Sequence, residues 1–116
     1  MRVIIAGSRG FDDYETLCKF CDYIIGEPEE EIEIVSGTAK GADKLGERYA
    51  NDRKYKLKEF PADWDTYGKS AGYRRNAEMA DYADLLIAFH DGESKGTQHM
   101  IDLANKKEIN VAVYKY

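Results

Sequence analysis

The chain has 116 residues, 43% of them apolar and 34% charged, which is the balance of a globular protein able to bury a core without metal or disulfide staples, and a single domain over residues 1–116 is expected. No apolar run approaches the length of a membrane span, which argues against a membrane partner; the sequence enters a strand at once with no leader pattern, so a cytoplasmic location is expected. Seventeen Lys and Arg against 22 Asp and Glu give a net charge of −5, which disfavours nonspecific binding to long nucleic acid but admits a small anionic ligand.

Residues 2–6 (Arg-Val-Ile-Ile-Ala) read as a buried strand that runs into the glycine loop Gly7-Ser8-Arg9-Gly10-Phe11. A helix over about 13–25 follows, ending near Gly26 and Pro28. Its stripe of Tyr14, Leu17, Cys18, Cys21, Ile24 and Ile25 makes the Cys-x-x-Cys pair two small apolar residues on a buried face. Only His90 and His99 could add soft ligands, without motif spacing, so neither a metal nor a cofactor is expected.

Residues 32–35 form a second strand, and residues 36–43 (Ser-Gly-Thr-Ala-Lys-Gly-Ala-Asp) a second loop of the same kind. The helix from about 42 to 53 carries Gly46 on its inward stripe, which predicts close packing against a neighbour. A third strand near 55–60 closes at Pro61. Residues 61–71 have no clear period, hold the only tryptophan, Trp64, and read as a long loop or lid. Gly68-Lys69-Ser70 is not a P-loop, because Asp63 stands where the first glycine is needed and no strand directly precedes it. A helix over 72–82 has Arg74, Arg75 and Asn76 in its first turn, where cations oppose the helix dipole unless an anion shares the site.

The fourth strand, residues 85–89, leads into Asp91-Gly92-Glu93-Ser94-Lys95-Gly96-Thr97. With Thr97 as N-cap of a helix running to about 107, and glycines that permit positive φ or close approach, this loop offers backbone N–H groups at a helix's positive end. A turn whose glycines serve geometry alone is the alternative. A fifth strand covers 109–114. The order predicts a Rossmann-like, three-layer α/β/α fold with a five-stranded parallel sheet in the order 3-2-1-4-5. The loops after strands one, two and four then gather at its carboxyl edge. Arg9, Lys40, Lys69, Arg74, Arg75 and Lys95 stand in or beside the loops of that edge, together with Asp12, Asp43, Asp91 and Glu93.

Taken in this order, Gly7-Ser8-Arg9, Ser36-Gly37 through Gly41-Ala42-Asp43, Arg75-Asn76, and Ser94 to Gly96-Thr97 resemble the SLOG superfamily. Pro61-Ala62-Asp63-Trp64 and Gly68-Lys69-Ser70-Ala71-Gly72 resemble its small, single-domain, YpsA-related (YspA-like) branch, so the likeness covers nearly the whole chain. The resemblance implies binding of a nucleotide or nucleotide-derived ligand such as ADP-ribose or an NAD fragment. Relatives include cytokinin-activating phosphoribohydrolases and the DNA-processing protein DprA. Carried over by residue, it puts phosphate contacts on Ser8, Arg9, Gly37 and the loop Ser94, Lys95, Gly96 and Thr97, with Arg75 as the helix's basic residue. Gly7, Ser36, Gly41, Asp43, Trp64, Lys69, Asn76 and Asp91 complete the candidate ligand-binding set.

Two departures matter. Thr38 replaces the second glycine usual in the branch, and Gln98, His99 and Met100 follow Gly96-Thr97 where the phosphoribohydrolases carry a catalytic glutamate. A binding module for a phosphorylated, nucleotide-derived molecule, acting as sensor, carrier or sequestering protein, is therefore favoured over an enzyme. The alternative is an N-glycosidic hydrolase that recruits Asp43, Asp91, Glu93 or Asp102. Single-stranded DNA binding of the DprA type ranks third, because of the acidic balance. A homo-oligomer is left open.

Overall fold

The computed structural model describes all 116 residues, Met1–Tyr116. Five strands, β1 (Arg2–Gly7), β2 (Glu33–Ser36), β3 (Lys56–Glu59), β4 (Leu85–His90) and β5 (Asn110–Lys115), form one parallel sheet in the order β3-β2-β1-β4-β5. Between them run the helices α1 (Tyr14–Ile25), α2 (Ala42–Asp52), α3 (Trp64–Tyr67), α4 (Ala71–Tyr82) and α5 (Lys95–Lys106). The sequence-based fold and strand order hold. No helix is long and apolar enough to cross a membrane.

The period-two alternation of the central strands divides the core between two faces. Val3 and Ile5 of β1 and Leu85, Ile87 and Phe89 of β4 pack with Leu17, Cys21, Tyr49 and Ala50 of α1 and α2. Ile4, Ala6, Leu86 and Ala88 turn the other way, onto Met79, Ala80, Met100 and Ala104 of α4 and α5. Buried on both faces, β4 must be apolar throughout, and it is until His90. Edge strand β3 is exposed at all four residues, Lys-Leu-Lys-Glu, and its charges blunt the open edge.

Helix boundaries follow the capping chemistry. The Asp13 carboxylate accepts from the Thr16 N–H (3.1 Å) to start α1, and Gly26 closes it at φ +66°. Cys21 lies fully buried in the first cluster, where burial pushes its thiol up, whereas Cys18 is only half-buried at its margin. Residues 61–71 are more ordered than their lack of period indicates. Asp63 caps α3 through the Thr66 N–H (3.1 Å), Gly68 turns the chain at φ +55°, and a single 3₁₀ turn, Gly68–Ser70, leads into α4 one residue earlier than expected. A four-residue helix is too short for a 3.6-residue pattern to register. α5 also starts early, because Ser94, not Thr97, is its N-cap.

Gly46 has the packing role its position implied: a Cβ there would stand 2.8 Å from both Cβ and Cγ2 of Ile5. Gly96, in the first turn of α5, has open space around the same position. Gly46→Ala should therefore destabilise by about 1–3 kcal/mol, the scale of an overpacked core, overriding the gain in helix propensity. Gly96→Ala should stabilise by a few tenths to about 1 kcal/mol. Urea unfolding of both variants checks the contrast, and a stabilised Gly46→Ala would show that α2 does not need its close approach to β1.

Candidate functional site

β1 and β4 stay paired to their carboxyl ends, the chains leaving them run to helices on opposite faces of the sheet, and the loops at this switch point are locked by backbone contacts. Ser8 N–H donates to the Phe89 carbonyl (3.0 Å), and the Ser8 carbonyl accepts from Phe11 N–H (3.2 Å) and Ala42 N–H (3.3 Å). The Ser8 hydroxyl donates to Phe89 O (3.4 Å) and accepts from Asp91 N–H (3.2 Å). Two glycines permit this approach. A Cβ at Gly7 would lie 2.4 Å from Phe89 O, and one at Gly41, which also has φ +81°, would lie 2.4 Å from Ser8 O.

Above this junction opens a crevice of about 470 Å³, within the range of small-molecule sites. Met79 and Met100 give it an apolar base, and the aromatic rings of Trp64 and Tyr73, both about half exposed, stand at its rim. A smaller cavity of about 230 Å³ adjoins it between residues 37–39 and residues 61–64. Arg9, Ala39, Trp64 and Arg75 belong to both walls.

Arg75 is fixed from two sides. It donates through Nη1 to the Gly37 carbonyl and through Nε to Asn76 Oδ1 (3.0 Å). Asn76 in turn donates through Nδ2 to Gly96 O (3.4 Å) and shares a bond with His99 Nδ1 (3.2 Å), which ties α4 to α5. Burial lowers the pKa of Arg75; the Asp43 carboxylate opposes this, and the like charge of Arg9 adds to it. Neither arginine forms an ion pair. Asp43, only 5% exposed, accepts from Ala39 N–H (3.1 Å), and burial pushes its carboxyl up to about 6 against that bond and the Arg75 charge. Asp91 is the opposite case. Its Oδ1 accepts from the Glu93 and Ser94 N–H groups (2.8 Å each), which hold it below the usual carboxylate range.

The mouth of α5 is consequently less open than its glycines imply. Asp91 has taken two N–H groups, and the Ser94 hydroxyl takes that of Thr97 (3.3 Å), leaving Lys95 and Gly96 as the free donors of the first turn. Behind the loop, buried His90 accepts from Gly92 N–H at Nδ1 (3.2 Å), so its Nε2 carries the proton donated to Gln98 Oε1 (3.1 Å).

Of the candidate residues, Gly7, Ser8, Arg9, Asp43, Trp64, Lys69, Arg75, Asn76, Asp91, Ser94, Gly96 and Thr97 line the larger crevice. Gly37 lines the smaller one. Ser36, Gly41 and Lys95 line neither. Ser36 is buried beneath the loop, where its hydroxyl donates to Glu47 Oε2 (2.7 Å) and accepts from Thr38 N–H (3.0 Å). Sequence reasoning missed Tyr73, which packs edge-on against His99 at 4.4 Å between centroids. Its position one residue after Gly72, on the side of α4 that also carries Asn76, is the signal that could have found it.

A parallel 3-2-1-4-5 sheet with a polar crevice at its switch point defines a Rossmann-like protein with a ligand-sized site. Residues 1–67 match the model of the YspA, cpYpsA-related SLOG family, and the chain belongs to that family. It is 36% identical to the Gene 61 protein of Mycobacterium phage D29 over 116 residues, 95% of this chain and 93% of that protein. In fold it is similar to DNA processing protein A (DprA) of Streptococcus pneumoniae (TM-score 0.74, 20% identity, 97% of this chain) and of Helicobacter pylori (TM-score 0.68, 19% identity, 97% of this chain). The second of those structures concerns the single-stranded DNA binding mode of its protein. This chain spans 49% and 64% of those two chains, and the likeness is one of fold.

The raised Asp43 has a consequence for stability. Between the unfolded carboxyl value of 3.8 and the folded value of about 6, the unfolded chain has released a proton that the folded chain keeps, so stability falls as pH rises through that window and is level above it. The loss from this group is on the order of 2–3 kcal/mol at about 1.4 kcal/mol per unit. Asp43→Asn keeps an oxygen for Ala39 N–H and should remove that part of the decline. Urea unfolding of both proteins at pH 4 and pH 7 measures it, and an equal decline in both would assign the slope to other groups.

Proposed function

We propose that this protein binds a phosphorylated, nucleotide-derived small molecule of the ADP-ribose, NAD-fragment or nucleotide class in the crevice between β1 and β4, as a sensor, carrier or sequestering module. The observation that carries this reading is the pair of guanidiniums, Arg9 and Arg75, lining one wall without an ion-pair partner, the buried Arg75 costly to keep charged and the charge of Arg9 adding to that cost. An anion between them relieves that cost and gains charge-assisted hydrogen bonds. The Trp64 and Tyr73 rings beside them offer faces to a base. Family membership supports a nucleotide-related ligand in general, and the single-stranded DNA binding named for the Helicobacter pylori DprA, which shares the fold, is the competing partner class.

A second reading, hydrolysis of an N-glycosidic bond, is favoured by one observation. Of the four carboxylates open to that role, Asp43 and Asp91 line the crevice and Glu93 and Asp102 do not, and the environments of the two push their pKa values apart. Asp102 instead accepts from Gln98 Nε2 at 2.9 Å.

Calorimetric titration with nucleoside monophosphates, ADP-ribose and NAD, followed by chromatography of the same samples, tests both readings. Recovered intact ligand supports the module, released free base supports the hydrolase, and tighter binding of oligonucleotides than of any nucleotide would move the protein to the DprA type of activity. Arg9 has no partner to lose, so Arg9→Ala should weaken binding about tenfold with an unchanged melting temperature. Arg75→Ala should cost about 1.5–3 kcal/mol of binding, roughly ten- to a hundredfold. Parental affinity in both variants would remove the arginine pair from the site.

A further inference from the structure

We infer that His99, which lines neither cavity, is a positioning residue for Arg75, and that the proton state of its ring governs how firmly that arginine is held, through the side chain of Asn76. That role rests on the binding reading above, in which Arg75 meets the ligand. Asn76 is 7% exposed, and its amide lies between partners whose roles cannot change. A guanidinium only donates, so Oδ1 must be the atom facing Arg75 Nε (3.0 Å). A peptide carbonyl only accepts, so Nδ2 must be the atom facing Gly96 O (3.4 Å). With the amide fixed in this way, the atom it turns to His99 Nδ1 at 3.2 Å is the donor Nδ2. His99 Nδ1 therefore accepts, and the ring is neutral with its proton on Nε2.

A proton added to the ring sets an N–H on Nδ1 against the N–H of Asn76. Turning the amide over relieves that clash, but Nδ2 then faces the donor Arg75 Nε and Oδ1 faces Gly96 O, so both of those bonds are lost to make the one to His99. Moving the ring away instead gives up its edge contact with Tyr73 (4.4 Å) and leaves Nδ2 with only the long bond to Gly96 O. Either route loosens Asn76, and with it the Nε side of Arg75. The groups that face the ring are Tyr73 and Asn76 from α4 and, on α5 itself, Asp102. Burial holds the His99 pKa below the ordinary histidine value, and the Asp102 carboxylate opposes this. The ring is thus neutral at pH 7 and gains charge in mildly acid solution. Because an ordered Arg75 favours the neutral ring, affinity for an anion at Arg75 falls as pH falls through the His99 midpoint.

Spectroscopy on the ligand-free protein separates this link from binding. In an NMR titration from pH 7.5 to pH 5, the Asn76 side-chain amide and the Arg75 Nε–H should shift with the midpoint of the His99 ring. His99→Gln offers Oε1 as an acceptor and does not titrate, so it should remove that shift. Asp43, at about 6, titrates in the same window and bears on Arg75, as does the fixed charge of Arg9, so only the part of the shift lost in His99→Gln counts. Calorimetry with ADP-ribose then compares the proteins at pH 7.5 and pH 5.5, where any ionisation of the ligand is common to both and cancels in the ratio. The ratio of parental to His99→Gln affinity should fall about three- to tenfold between those values, the scale of one neutral hydrogen bond. His99→Phe keeps a ring against Tyr73 without the acceptor, and should bind more weakly than His99→Gln by a similar factor at pH 7.5. Asn76 signals that ignore the His99 midpoint, or that move equally in His99→Gln, would overturn the link. A ratio level with pH, together with equal affinity in His99→Gln and His99→Phe, would reduce His99 to packing. A parental protein that binds neither ADP-ribose nor a nucleoside monophosphate would sink the binding reading, while the amide titration would still decide whether His99 governs Asn76.

Discussion

Three backbone segments meet at Ser8, and the candidate site depends on how close they come. The end of β1 hydrogen-bonds the end of β4 through Phe89, the start of α2 donates to the Ser8 carbonyl, and the loop after β4 is held to the Ser8 hydroxyl through Asp91 N–H. No side chain fits between them, which is why Gly7 and Gly41 face backbone oxygens at distances no Cβ tolerates. Apart from the Ser8 hydroxyl this contact is made by main chain, so it sets the separation of the loops whatever surface side chains they carry. The crevice is the space left above it.

The charges in that space are arranged rather than balanced. Gly37 brings Arg75 and Asp43 together: each has an atom 2.8 Å from the point where a Cβ would stand, yet the two form no ion pair within 4 Å. Burial drives the Asp43 carboxyl upward in spite of the nearby Arg75 charge, and Arg75 stays oriented by neutral acceptors, the Gly37 carbonyl and the Asn76 amide. A guanidinium held by neutral partners keeps its charge for a ligand, whereas one locked to a carboxylate would have spent it locally. The Asn76 link onward to Gly96 and His99 means that the same arginine is positioned from the loop after β2, from α4 and from α5 at once.

Residues 61–71 are the least supported part of this frame. α3 is one turn long and has no buried residue, and α helices of that length do not persist without capping and packing. It has both in small measure, through the Asp63 cap, the seat of Trp64 on Gly72, and Arg74 stacked over Tyr67 at 4.3 Å. Contacts so few and so exposed open at low free energy compared with the sheet.

The sheet order, the crossovers and the gathering of three loops at one edge were legible in the sequence because each rests on apolar runs and glycine punctuation that recur along the chain. The cap of α5 was not, since Ser94 and Thr97 are both good caps three residues apart and only the neighbouring Asp91 carboxylate decides which one closes the helix. The harder case is the second loop. Ser36, Gly37, Gly41 and Asp43 come from one motif, yet Gly37 and Asp43 line the cavities while Ser36 braces the loop from below and Gly41 makes room for Ser8. A loop that must both face a ligand and pass close to another backbone needs small and polar residues for each purpose. Their identities alone therefore cannot separate the wall of the site from its supports; only the direction in which each residue meets its neighbours does.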